Sequence, residues 1–155
     1  MLRRRRGQND GVASWVCPKC ERRFAREGQS HECAPAMSLE EYFSTGPERE
    51  RPIFEAVMCH LDTVGTVHVE PVSVGIFLKR ARSFAQLRPL TQWVALSFSL
   101  RRPVTHRTIT RKVQPYGARY HHVANLRSPD DLDDQLLGWL TEAYLDSPPD
   151  SDEES

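Results

Sequence analysis

Cys17, Cys20, His31 and Cys33 fall within one polar stretch, CPKCERRFAREGQSHEC, and are the residue types that hold a zinc ion. Cys17 and Cys20 flank Pro18 and Lys19, a spacing that turns two thiolates toward one ion while backbone amides offset their charge. His31 and Cys33 follow after a ten-residue gap and complete a Cys3His set. Four protein ligands close a tetrahedron and leave no position for substrate or water, so the expected cofactor is a structural Zn2+. The competing reading is a pair of buried thiols beside an unrelated histidine. Four suitable ligands within seventeen residues argue against it. A redox CxxC would sit in a βαβ setting that the surrounding sequence lacks. Phe24 lies between the ligand pairs, where it can pack on the module, and Cys59, mid-helix in VMCHL, reads as a small core residue.

A second chemistry is anion binding. Arg22, Arg23 and Arg26 lie between the ligand pairs and Arg3 to Arg6 precede them, which supplies sequence-independent affinity for phosphate. The ligand spacing is too tight for a ββα finger that reads bases from the major groove. A solvated basic surface is the plain alternative. Farther on, Lys79, Arg80, Arg82 and Arg88 leave two strand-like segments, and Arg101 and Arg102 mark a turn. Arg107, Arg111, Lys112 and Arg119 follow on the next two segments. Phe84, Trp93, Tyr116 and Tyr120 are interleaved with them, as a stacking platform for single strands requires.

The net charge of zero conceals how these cations are distributed. Pro71 to Pro129 holds eleven Lys/Arg and no acid, whereas Asp130 to Ser155 holds ten acids and no Lys/Arg. A merely solvated face mixes both signs, so 59 residues without Asp or Glu imply an anionic partner outside the chain or an acidic one within it. The tail DSDEES is a candidate for the internal partner.

Catalysis has less to stand on. His121 and His122 adjoin Tyr120 and Arg119, but adjacent strand residues point to opposite faces and cannot line one pocket. No G-x-S-x-G, Gly-rich phosphate loop or acid pair accompanies them. No catalytic residue is assigned. An enzyme acting on a small anion through Arg119 and one of the two histidines stands as a third alternative.

These residues need elements to position them. With 155 residues, 39% hydrophobic and 27% charged, the chain has room for one domain and a small appendage. It has no apolar run long enough to span a membrane and no secretory h-region, so the expected location is cytoplasmic, where clustered thiols bind metal. Residues 1–14 read as a disordered basic start, 15–34 as the zinc module, 38–145 as the main domain and 146–155 as a disordered acidic tail. Ser38 with Glu41 forms a capping box for a short helix through Phe43. A longer helix is expected from about residue 47 to Asp62, with Ile53, Phe54, Val57, Met58 and Leu61 on one face. Strands are expected at 66–70, 73–80, 84–90, 92–100, 107–113 and 118–126, joined by connections short enough for an antiparallel meander. Ser128-Pro129-Asp130-Asp131 starts a final helix with Leu132, Leu136, Leu137, Leu140 and Tyr144 on its stripe.

The segments CPKCERRFAREGQSHEC, SLEEYF, VHVEPVSVGIFLKRARSFAQL, RYHHVANL and SPDDLDDQLLGWLTEAY together resemble a bacterial, often actinobacterial family. It is catalogued as domain of unknown function fifty-six fifty-five, in the subgroup that carries an N-terminal Cys/His module. The resemblance covers roughly residues 15–145 and implies a compact α+β domain without an established activity or catalytic residues. The combined expectation is an α+β fold, an antiparallel sheet flanked by N- and C-terminal helices and preceded by a zinc knuckle. Its expected function is non-enzymatic binding of an anionic partner, nucleic acid first. The alternative is a protein-interaction module whose basic sheet meets an acidic protein or its own tail.

Overall fold

In the computed structural model, which describes residues 15–24, 27–28 and 37–147, the chain opens with a hairpin of β1 (Trp15–Val16) and β2 (Arg23–Phe24). Two helices follow, α1 (Leu39–Thr45) and α2 (Glu50–Leu61), then four strands: β3 (His68–Val72), β4 (Gly75–Lys79), β5 (Ser83–Pro89) and β6 (Val94–Leu100). After a long connection come β7 (Gln114–Tyr116), β8 (Arg119–Leu126), a single 3-10 turn (Pro129–Asp131) and α3 (Asp134–Asp146). The fold is α+β, an open antiparallel six-stranded sheet with three helices among the described residues.

Local chemistry explains the element ends. The Ser38 hydroxyl accepts from the Glu41 amide at 3.1 Å and the Glu41 carboxylate accepts from the Ser38 amide at 3.2 Å, the expected capping box. On α2 the buried face is Ile53, Phe54, Val57 and Leu61, with Met58 at its margin. Cys59 is exposed on this helix, which corrects its expected place in the core. Ser128 does cap a turn, but the 3-10 geometry ends at Asp131 and α3 restarts under a second cap, Asp133, whose carboxylate accepts from the Leu136 amide at 3.0 Å. Trp139 joins the buried stripe of α3, a large residue absent from the leucine pattern read in the sequence.

The sheet order is β3-β4-β5-β6-β8-β7. Val94, Leu96, Phe98 and Leu100 are buried as their alternation requires, and register pairs them with Leu126, Ala124, His122 and Tyr120 of β8. The meander holds through β6 and then breaks. Residues 107–113 form no strand, so RTITRKV serves as a connection that carries the chain to the sheet edge. There β7 pairs only with β8, and β8 returns to lie against β6. A β-branched run reads as a strand only while a partner lies alongside it. Here Thr108 instead donates its backbone N–H to the His106 ring and receives one from Asn125.

α2 and α3 pack over the buried side of the sheet, and Gly65 lets them close. The Tyr144 hydroxyl donates to the Thr66 carbonyl at 2.9 Å, and a Cβ at Gly65 would collide with that hydroxyl. The same tyrosine meets Phe84 edge-on at 5.4 Å. The end of α3 is thereby locked onto the start of β5.

Candidate anion site and cysteine knuckle

Cys17 and Cys20 sit at the tip of the β1–β2 hairpin, each 4% exposed, with Phe24 and Trp15 packed on them. The Cys17 carbonyl accepts from the Glu21 amide at 2.7 Å and the Cys17 amide donates to the Arg22 carbonyl at 2.9 Å. Glu21 adopts φ 64°, a left-handed conformation that costs a non-glycine residue roughly 1 kcal/mol. The result is a tight knuckle that holds both thiols inward. His31 and Cys33, the other two expected ligands, lie outside the described residues. Among the described residues no cluster of three or more metal-ligating side chains is found.

One carboxylate joins the hairpin to the sheet. Glu70 on β3 accepts from Arg22 Nε at 2.8 Å and from Lys79 Nζ at 3.0 Å, with Arg22 3% and Lys79 5% exposed. The Arg22 guanidinium lies 5.2 Å from the Phe24 ring centroid and 5.0 Å from that of Phe77, and Lys79 lies 4.4 Å above Phe24. Burial alone would raise the Glu70 carboxyl, but its bonds and proximity to Arg22 and Lys79 hold it below its usual range. Burial pushes Lys79 down, with Glu70 opposing. Arg22 and Lys79, both expected on an anion-binding surface, are thus turned inward onto Glu70.

The acid-free segment finds most of its counter-charges in the acidic segment that follows it. Arg102 Nη2 lies 2.9 Å from Glu142, Arg107 Nη1 3.1 Å from Asp131, and Arg101 Nε 3.8 Å from Asp146. The largely buried His106 ring accepts from the Thr108 amide at Nδ1 and donates from Nε2 to Asp133 at 2.8 Å. Arg80 donates to the carbonyls of Tyr144 and Ser147 at 3.1 and 2.9 Å and stacks over the Tyr144 ring at 4.1 Å. Arg119 donates to the Asp146 carbonyl at 3.0 Å. Both arginines therefore serve the carbonyl end of α3, where positive charge is favourable. Of the expected anion contacts, Arg82, Arg88, Arg111 and Lys112 are exposed and form no ion pair with a described carboxylate. Arg23 lies on β2 opposite Val16, and Arg26 is outside the described residues.

At the same end of the sheet a cavity of about 470 Å³ opens between β5, the β7–β8 hairpin and the end of α3. Arg82, Arg119, His121 and Gln114 are among its polar lining residues, and no carboxylate of the described residues lines it. Phe84, Pro115 and Ala143 form the apolar part, and Tyr116, 81% exposed, stands at the mouth. Partial desolvation, then the charge of Arg111, push the imidazole of the solvent-exposed His121 below its usual range. Its neighbour His122 points the other way and is fully buried. There its Nε2 accepts from the Val104 amide at 3.1 Å and its ring stacks on Phe98 at 5.1 Å. Strand alternation separates the two histidines as expected.

Three residues of this arrangement escaped the sequence. Glu70 stands one position before the acid-free run, and its alternation with Val69 and Pro71 is the signal that places it on the face opposite the core. Gln114 and Ser147 carry no such signal, because only the sheet edge and the helix end bring them to the cavity.

No curated protein and no solved structure matches the chain. A family model described as a domain of unknown function, DUF5655, matches residues 39–147, from the first residue of α1 to the residue that closes α3. That span contains both helical layers and the whole six-stranded sheet, and it leaves out the cysteine hairpin; the chain belongs to the DUF5655 family.

Proposed function

We propose that the protein is a non-enzymatic binding module for an anionic partner, nucleic acid first, working in the cytoplasm. The observation that supports this most is the surplus left after internal pairing. Arg82 and Arg119 line a cavity that no carboxylate of the described residues enters, Arg111 lies close enough to His121 to act on its charge, and Lys112 is two residues from Gln114. The exposed Tyr116 ring beside them offers a base a surface to stack on. Fluorescence anisotropy with a labelled single-stranded oligonucleotide tests the reading. The Arg111→Gln/Lys112→Gln double variant, changed only at exposed positions, is expected to bind several-fold more weakly. Equal affinity would count against this surface.

The hairpin is read as a structural zinc knuckle, with Cys17 and Cys20 as two ligands and His31 and Cys33 as the others. The inward thiols and the left-handed turn at Glu21 fit that role. Bound zinc would hold the hairpin closed, and through Arg22 it would anchor the hairpin to β3 and β4. Native mass spectrometry is expected to find one zinc per chain, lost in Cys17→Ser.

A second reading is favoured by the pairs of Arg102, Arg107 and His106 with the C-terminal acids. The basic segment already meets an acidic one inside the chain, so an acidic protein, or residues 148–155 of the chain, can compete for the cations left over.

A further inference from the structure

The cavity between β5, the β7–β8 hairpin and α3 has features that nonspecific phosphate attraction does not call for. Its volume of about 470 Å³ lies within the range of roughly 300–1,000 Å³ common for small-ligand sites. Two guanidinium groups, Arg82 and Arg119, face it from different strands or turns, and their forked donors suit a doubly charged oxyanion. The Arg119 fork is held by the Asp146 carbonyl, so one donor is positioned before any ligand arrives. Phe84, Pro115 and Ala143 supply apolar lining, and the exposed ring of Tyr116, the residue paired with Arg119 across β7 and β8, suits a flat aromatic body.

Two further polar lining groups have unused capacity. Ser147 is 5% exposed, and its Oγ makes no hydrogen bond. The Gln114 amide makes only a 3.5 Å contact with the Lys112 carbonyl, at the limit of a hydrogen bond, so both its donor and its acceptor can be recruited. A planar amide of this kind can read a nucleobase edge, and a buried serine hydroxyl suits a sugar hydroxyl.

We propose that this cavity binds a nucleoside monophosphate group, either free or as the phosphorylated end of a strand. The phosphate sits on Arg82 and Arg119, the base stacks on Tyr116 and meets Gln114, and the sugar lies toward Ser147. The inference rests on the anionic-partner reading and narrows it from a charged surface to a terminal phosphomonoester.

Isothermal titration of the full chain tests it with adenosine 5′-monophosphate, adenosine and inorganic phosphate. Single-stranded oligonucleotides with a 5′-phosphate or a 5′-hydroxyl form the second arm. Adenosine 5′-monophosphate is expected to bind on the order of tenfold tighter than adenosine or phosphate, since each half adds its own interaction. Arg82→Gln and Tyr116→Ala both lie on the surface and should fold normally. Each is expected to weaken the monophosphate on the order of tenfold. A 5′-phosphorylated strand that binds tighter than both its hydroxyl form and the free nucleotide identifies a strand end as the source. A monophosphate that matches it identifies the free nucleotide. If the monophosphate binds no better than adenosine, or neither variant weakens it, the inference is overturned. Oligonucleotides that then still bind, with or without the 5′-phosphate, leave the broader anionic-partner reading standing.

Discussion

Glu70 and Glu50 are both carboxylates with little solvent, and they shift in opposite directions: two cations win over burial at Glu70, whereas burial wins at Glu50. Glu70 is held ionised by Arg22 and Lys79. Glu70→Ala removes the carboxylate that joins two buried cations and is expected to cost about 3 kcal/mol in urea unfolding. Because the folded-state value is lowered, this contribution is present above the unfolded carboxyl value of about 4.3 and is lost as pH falls through the folded one. Glu50 is fully buried at the start of α2 and accepts from the Tyr42 hydroxyl at 2.7 Å, and its other oxygen makes no hydrogen bond. Burial raises its carboxyl despite the Tyr42 bond. The sign reverses: its favourable contribution is present below about 4.3 and is lost as pH rises through the raised folded value. Wild-type stability is therefore expected to fall relative to Glu50→Gln as pH rises above about 4.3. Parallel curves for the two proteins would contradict that assignment.

The elements show what periodicity reads well and where it stops. The capping box at Ser38 and Glu41, the apolar face of α2 and the alternation along β6 are short-range patterns, and the structure reproduces them. The failure at 107–113 has a different origin. Arg107, Thr108, Ile109, Thr110 and Arg111 have strand-like composition, but no neighbouring strand is available to pair with them after the chain turns at Arg101 and Arg102. The edge strand β7, with the exposed sequence QPY, has almost no signature. The anion site inherits both limits: its arginines were legible, whereas the cavity depends on where β7 and the end of α3 come to rest. Tyr144 fixes the latter through Thr66 and the missing side chain at Gly65. Gly65→Ala is expected to displace that ring and destabilise the fold by about 1–3 kcal/mol, measured as a lower urea midpoint. An unchanged midpoint would contradict the proposed lock.

At the scale of the whole molecule, the segregated charge of the sequence becomes an arrangement of neighbours. A basic run and the acidic run after it meet along the 3-10 turn and α3, where Arg101, Arg102 and Arg107 find carboxylates within the chain. Part of what that pairing leaves, Arg82 and Arg119 lining one cavity with Arg111 acting on His121 of its wall and Lys112 next in sequence, carries the functional claim. Residues 148–155 follow Ser147 in the sequence and contain Asp150, Asp152, Glu153 and Glu154. Deleting them is expected to tighten oligonucleotide binding, and unchanged affinity would remove the tail as a competitor. The most direct measurement is the salt dependence of the dissociation constant for a single-stranded oligonucleotide. Four phosphate contacts correspond to a slope of log affinity against log salt of about −3, reduced in magnitude by roughly 0.7 in Arg82→Gln. A slope near zero, or the same slope in both proteins, would contradict phosphate binding at this site.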